Sequence, residues 1–139
     1  MKFLGTQIQE VFDAFFIKLL NVDFTGKEAI VYQIFKSSIP HCIKTVPEDL
    51  IYTFDESTYT GIFNDVLGCD SIELIALAMV CEYYFKELGK LSGRKQYLGT
   101  QAFNKIPDLK DELNATQLDY NEANEKFEKF RQEFYSYTN

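Results

Sequence analysis

The chain has 139 residues, enough for one domain with a single hydrophobic core, and we expect one domain over residues 1–139. Its formal charge of −7 and its pI near 4.7 argue against direct binding to a nucleic-acid backbone. Hydrophobic residues make up 46% of the chain and aromatic residues 16%, so a disordered acidic tail is excluded as well.

The first predicted element is an amphipathic helix that begins near Thr6. Thr6 and Gln9 have the spacing of a capping box, in which each side chain bonds the other residue's backbone N–H. From Ile8 to Leu20 the apolar residues recur at intervals of three and four residues along one face. This pattern predicts a helix with one buried side.

A second helix is predicted after a short connection. Thr25 and Glu28 repeat the capping-pair spacing, and apolar residues at helical spacing follow as far as Phe35. Pro40 cannot continue a helix and disfavours helical backbone at the residue before it. We therefore expect this helix to end near Ser38.

A β-hairpin is predicted over residues 50–64. The segments "LIYTF" and "YTGIF" are rich in β-branched and aromatic residues and are separated by the polar segment "DEST". Two strands alone are marginally stable in water. The hairpin must therefore pack against the helices or pair with a strand of another chain.

The third helix is predicted to begin at Asp70, with Glu73 completing a capping pair, and to end near Leu88. Its apolar residues surround most of the helix axis, so it should be the central element, and we expect a small bundle to leave part of it uncovered. Glycines and basic residues follow, and residues 89–106 are predicted to be mostly irregular.

A long C-terminal helix is predicted over residues 108–137, with Pro107 at its first position. Its apolar and small residues follow a heptad pattern through Tyr120 and Ala123 to Tyr137. At about 1.5 Å per residue it would be roughly 45 Å long. We expect the segment from Phe127 to Tyr137 to project past the bundle and to seek a partner.

Taken together, the elements predict a mainly α protein, a small bundle of about four helices with a long C-terminal helix and one inserted β-hairpin. No uninterrupted apolar run is long enough for a membrane span. The cysteines are odd in number and none lies in a CxxC pair, which favours synthesis in a reducing cytoplasm and argues against a zinc site.

Few residues have the pattern of a catalytic site. His41 and Cys42 are the one adjacent pair that could suggest a nucleophile with its base, but neighbours in sequence point in different directions. A single histidine also excludes a di-metal site with a Glu-x-x-His motif on each of two helices. We therefore expect no enzymatic activity, no cofactor and no metal.

The residues predicted to contact a partner belong to three segments. They are aromatic or apolar side chains of the hairpin and the C-terminal helix, together with the basic pair of the glycine-containing segment. The basic pair would face the acidic helix of a neighbouring subunit or a channel. The ten candidates are Tyr52, Phe54, Tyr59, Ile62, Arg94, Lys95, Tyr120, Phe127, Phe130 and Phe134.

The order of these segments resembles the head-to-tail connector, or neck, proteins of tailed bacteriophages. The similarity runs through "VFDAFFIKL", "SSIPHC", "GIFNDVL", "DSIELIALAMVCEYYFKEL" and "RKQYLGTQAF", and then through the long C-terminal helix with its regular aromatic positions. The chain departs from that pattern at Tyr83 and Tyr84, where a Trp-Leu pair is commoner, and in its acidic C-terminal helix.

The resemblance implies a virion structural protein whose copies form a ring on the portal protein. Such a ring would extend the DNA channel, let DNA pass without specific binding, and offer a surface to tail or other neck proteins. An alternative prediction from the heptad pattern alone is an intracellular helical adaptor that pairs its C-terminal helix with a coiled-coil partner.

Overall fold

The structure, a computed structural model, describes residues 5–138, with the backbone alone for Pro107 and for residues 135–138. Five α-helices and one antiparallel hairpin over this range confirm the predicted mainly α fold class. In chain order the elements are α1 (Ile8–Lys18), α2 (Glu28–Ser38), a 3-10 turn (Ile39–His41), β1 (Tyr52–Asp55), β2 (Thr60–Phe63), α3 (Cys69–Leu98), α4 (Thr100–Asn104) and α5 (Pro107–Thr138).

The two long helices, α3 and α5, lie antiparallel and pack against each other along their length. Ser71 and Phe134 line one groove near one end of the pair, and the rings of Phe85 and Tyr120 are 6.2 Å apart further along. The short α4 packs against both helices where the chain turns back. Residues 85–120 are called the arm below, and the remaining described residues are called the head.

The head contains the main hydrophobic core. Helices α1 and α2 both pack on α3, and among the described residues every member of this core lies outside the arm. Ile8, Phe15, Phe35, Leu74 and Met79 are among the fully buried side chains. The apolar faces predicted for the first two helices therefore meet the first half of α3.

The hairpin packs against α2 of its own chain. Packing against the helices was one of the two possibilities predicted for it, the other being a strand of another chain. The ring of Phe54 is stacked on Tyr32 with centroids 3.8 Å apart, and the ring of Phe35 contacts those of Tyr52 and Phe63. Tyr52 is paired with Phe63 across the two strands. The hairpin thus covers the core of its own chain.

The predicted capping box at the start of α1 is wrong, although the helix itself is confirmed. Gln7 is the N-cap residue and makes no side-chain capping bond. The hydroxyl of Thr6 accepts the backbone N–H of Leu67 at 2.7 Å, and the amide of Gln9 donates to the carbonyl of Tyr59 at 2.9 Å. Both side chains bond residues distant in sequence, which a local motif cannot reveal.

The predicted cap of α2 is also wrong. This helix begins at Glu28 with Lys27 as its N-cap residue, and the backbone N–H of Thr25 bonds the carboxylate of Asp23 at 2.9 Å. Its end at Ser38 is confirmed. Pro40 therefore predicted the end of α2 correctly, whereas the capping pattern predicted its start incorrectly.

A glutamate far upstream binds the start of α3, so the predicted capping pair is wrong. Glu48 accepts the backbone N–H of Gly68 at 2.8 Å and the hydroxyl of Ser71 at 2.5 Å. Asp70 lies in the first turn of the helix, and Glu73 forms an ion pair with Lys18 of α1. A carboxylate at this end also interacts favourably with the helix dipole.

The predicted end of α3 near Leu88 is wrong, because the helix continues through two glycines to Leu98. A glycine inside a helix costs about 1 kcal/mol relative to alanine. Leu91 is 3% exposed and Phe103 of α4 is fully buried, so apolar burial within the arm offsets that cost. Gly99, at φ +83°, then ends the helix.

The predicted C-terminal helix is confirmed as α5, but the expected projection of its end is wrong. Phe127 and Phe134 are 7% and 9% exposed and belong to the core of the head. The opposite end of α5 extends away from that core with the second half of α3. The side chain of Tyr137, also expected to project, lies outside those that the structure describes.

The central helix is accordingly better covered than its sequence suggested. Its residues from Leu74 to Val80 are almost all buried by α1, α2 and α5 of the same chain. The expectation that a small bundle leaves part of α3 uncovered is therefore wrong for its first half. Exposed apolar side chains of α3, such as Phe85 and Tyr97, lie on the arm instead.

Candidate functional site

The one adjacent pair with catalytic potential has its two side chains bonded to different partners. The sulfur of Cys42 is buried, 4.0 Å from the carbonyl oxygen of Leu74. Burial, with a smaller effect of nearby Cys81, raises the pKa of the Cys42 thiol to about 12. His41 is exposed and bonds Glu82 at 3.1 Å. This arrangement does not activate a nucleophile.

No cluster of three or more histidine, cysteine or acidic side chains suited to a metal ion is found within the described part of the chain. Over the same residues, no helix combines the length and the apolar character that crossing a bilayer requires.

Among the candidate hairpin residues, Phe54 and Tyr52 point toward the head's own core. Burial, followed by the effect of Tyr32, raises the pKa of the Tyr52 hydroxyl to about 12. Ile62 is half-buried and forms a bridge with Gln7. Tyr59 lies at the hairpin turn with φ +53°, an uncommon conformation for a tyrosine. Of these four, Tyr59 borders a surface groove.

The candidates on α5 lie against α3. Phe127 and Phe134 are in the core, and Phe130 is half-buried with its ring 5.6 Å from that of Phe134. Tyr120 is half-buried against Phe85 at the base of the arm. The heptad pattern of α5 is therefore satisfied within the chain, and these side chains offer little area to a partner.

The candidate pair Arg94 and Lys95 lies near the tip of the arm. Arg94 is exposed, and the ammonium of Lys95 lies 5.9 Å above the ring of Phe103. Residues 89–106 contain four basic residues and no acidic one. This segment therefore carries a charge of +4 in a chain whose total charge is −7, and the first turns of α5 add exposed Asp108, Asp111 and Glu112 at the same end of the arm.

Exposed apolar side chains accompany this charge. Tyr97 is 90% exposed, and Leu98 and Ile106 are also exposed. The sequence analysis missed these three as surface residues, because it predicted an irregular segment and so gave them no common face. We call the surface formed by Arg94, Lys95, Tyr97, Leu98 and Ile106 the arm tip.

A second surface feature, an open groove of about 400 Å³, lies on the head between α1, the α1–α2 connection and the hairpin turn. Aromatic and aliphatic side chains form its floor, and polar or acidic side chains form its rim. The floor residues are Phe12, Phe16, Val22, Phe24 and Val31, and the rim residues are Gln9, Asp13, Thr25, Glu28 and Tyr59. We call this feature the head groove.

The charge around the head groove is negative. Asp13 and Glu28 are exposed on its rim, and Asp23 lies beside it. A side-chain hydrogen bond from Thr25 lowers the pKa of the Asp23 carboxyl, and nearby Lys27 contributes less to this lowering. Three carboxylates against one ammonium make this groove complementary to a basic ligand. Sequence reasoning missed the groove, since the chain segments that form it are up to 50 residues apart.

Comparison with protein-family models, with curated proteins and with solved structures found no match to this chain.

Proposed function

We propose that this protein is a non-enzymatic structural subunit of a tailed-phage virion, a head-to-tail connector or neck protein. It is made in the host cytoplasm, and its copies assemble into a ring that links the portal protein to tail or other neck proteins. The observation that carries the proposal is the polarity of the subunit, an acidic head that bears a basic, apolar arm tip.

The charge distribution supports contacts between copies. The chain totals −7 and residues 89–106 carry +4, so the remaining residues carry −11. Two different surfaces of opposite charge on one chain favour heterologous contacts, in which the same pair of surfaces repeats from copy to copy. Such contacts close into a ring when the rotation between neighbours permits.

The acidic surface also supports the proposed role of the ring as a conduit for DNA. Exposed carboxylates on α5, including Asp111, Glu125 and Glu133, would repel the phosphates of passing DNA rather than hold them. A subunit of this kind lets DNA pass without specific binding.

The arm, and not an incomplete core, is the part of the chain that supports assembly. The first half of α3 is covered within the chain, so unburied area on this helix is not what drives assembly. The same finding weakens the alternative of an adaptor that forms a coiled coil through α5, because Ala123, Phe127 and Phe134 already face α3.

The direct experiment is to express the full chain with the portal protein encoded by the same phage and to image the complex by cryo-electron microscopy. We expect a closed ring of this chain on the portal. The chain alone, measured by mass photometry, gives the starting oligomeric state. A chain that binds neither itself nor the portal, and that yields no density between head and tail in intact particles, would refute the proposal.

A further inference from the structure

The head groove has the properties of a receptor for one large side chain with basic neighbours. Its volume of about 400 Å³ lies within the range of ligand-binding clefts, and the rings of Phe16 and Phe24, 5.5 Å apart, form part of an aromatic floor. The rim adds Asp13 and Glu28. A tyrosine flanked by arginine or lysine would match both the floor and the rim.

The arm tip offers that combination of side chains. Tyr97 is 90% exposed in the last turn of α3, and Arg94 and Lys95 precede it by three and two residues. Residues three apart on a helix lie on the same side, so Arg94 and Tyr97 are neighbours on the arm surface. Tyrosine and arginine are also the residue types that most often dominate binding energy at protein interfaces.

The arm tip of the same chain is poorly placed to fill the head groove. In the arm, the second half of α3 pairs with the first half of α5. From Tyr84 to its end at Leu98, α3 extends about 20 Å, at about 1.5 Å per residue. The groove lies on the head, among α1, α2 and the hairpin turn. The complementary charges therefore call for an occupant from another molecule.

We propose that the arm tip of one copy docks into the head groove of a second copy. Tyr97 enters the aromatic floor, while Arg94, on the same side of α3, lies opposite Asp13 and Glu28 of the neighbour. This inference rests on the proposed function, since it names the contact through which the copies of the ring associate. The contact is heterologous, so each copy gives one arm and receives another.

Two charge-reversal variants of the full chain test the contact. R94E/K95E changes the arm tip, and D13K/E28K changes the head groove. Asp13, Glu28 and Arg94 are exposed and Lys95 is half-buried beside Phe103, and the matched control K44E/K129E repeats the charge change of the first variant at positions that line neither surface. We expect each of the two variants to lower self-association on the portal about tenfold or more, and the control to leave it near the wild-type level.

Mixing gives the sharpest readout. In an equimolar mixture, the intact arm of D13K/E28K can still enter the intact groove of R94E/K95E. The reversed arm tip of R94E/K95E likewise complements the reversed groove of D13K/E28K, so the mixture should recover association as assemblies in which the two variants alternate. Analytical ultracentrifugation should show these larger species in the mixture and not in either variant alone. The combined variant R94E/K95E/D13K/E28K reverses both surfaces and should recover association with itself.

Substitution of the tyrosine tests the apolar part of the contact. Y97A should weaken association about 30-fold, the value for loss of a central aromatic side chain, whereas Y97F keeps the ring and should remain close to wild type. Thermal unfolding followed by circular dichroism should be the same for both variants and the wild type, which shows that the effect comes from docking.

The outcomes separate the two proposals. A wild-type chain that fails to associate with itself and with the portal overturns both. A wild-type chain that forms rings which R94E/K95E, D13K/E28K and Y97A leave unchanged overturns only the docking of the arm tip into the head groove. Loss of association in each variant alone, with recovery in their mixture, supports the docking.

Discussion

The head and the arm are built in different ways, and the difference separates the part that holds the fold from the part that faces outward. The head joins α1, α2, the hairpin and half of each long helix around a core rich in phenylalanine. The arm is two paired helices closed by α4, and its buried side chains include Leu91 and Phe103. Long-range packing therefore stabilises the head, while the arm depends on local helix pairing and leaves apolar and basic groups in solvent.

The largest effect should come from opening the core of the head. Phe35 is fully buried and contacts the rings of Phe12, Tyr52 and Phe63, so F35A leaves a cavity shared by α2, α1 and the hairpin. We expect the free energy of unfolding to fall by about 3 to 5 kcal/mol, measured by urea denaturation. A loss below 1 kcal/mol would mean that the aromatic cluster does not hold the head together.

The corresponding change in the arm should act locally. Phe103 is as fully buried as Phe35, but it is enclosed by the arm alone, so F103A should release α4 and the ends of α3 and α5. We expect a global loss of about 1 to 2 kcal/mol, and faster amide hydrogen exchange confined to residues 89–115. Equal acceleration of exchange in α1 and α2 would show that arm and head unfold as one unit.

A smaller effect is expected at the junction between the hairpin and α3. E48A removes the carboxylate that bonds Gly68 and Ser71, and helix caps of this kind contribute about 1 kcal/mol. The control D70A changes an exposed carboxylate in the first turn and should cost less. If D70A proved the more damaging, the upstream glutamate would not be the effective cap.

The smallest effects are expected at two glycines of the arm, where substitution by alanine should change the stability of the protein in opposite directions. Gly93 lies inside α3 with open space where a Cβ would be, so G93A should stabilise the protein by about 0.5 to 1 kcal/mol. Gly99 has φ +83°, which alanine adopts poorly, and G99A should destabilise it. Both shifts can be measured as changes in the thermal midpoint, and stabilisation by G99A would contradict the described end of α3.

Local sequence patterns were enough to predict the positions of most helices and of the hairpin. Periodicity predicted α1, α2 and α5, Pro40 marked the end of α2, and alternation with a polar turn marked the hairpin. These features depend on residues close in sequence, so they can be read without knowledge of the fold.

The helix caps and the length of α3 were harder to predict from sequence. The carboxylate that bonds the start of α3 comes from another segment, as Glu48 does at Gly68, and the hydroxyl of Thr6, just before α1, bonds Leu67 and not its own helix. The continuation of α3 through Gly89 and Gly93 depends on burial of Leu91 and Phe103 within the arm. Local propensity alone favoured a break there, and tertiary packing overrode it.

The candidate surface residues also differ in whether the sequence alone could predict their role. Arg94 and Lys95 could be chosen from sequence, because an excess of positive charge in an acidic chain is visible without a structure. Phe127 and Phe134 were chosen from their heptad spacing, which does not say whether the partner helix belongs to the same chain. The structure pairs them with α3. The head groove arises only in three dimensions, because segments up to 50 residues apart must meet before it exists. The arm tip lies within one short stretch of sequence, but only the continuation of α3 to Leu98 places Arg94 and Tyr97 on one side.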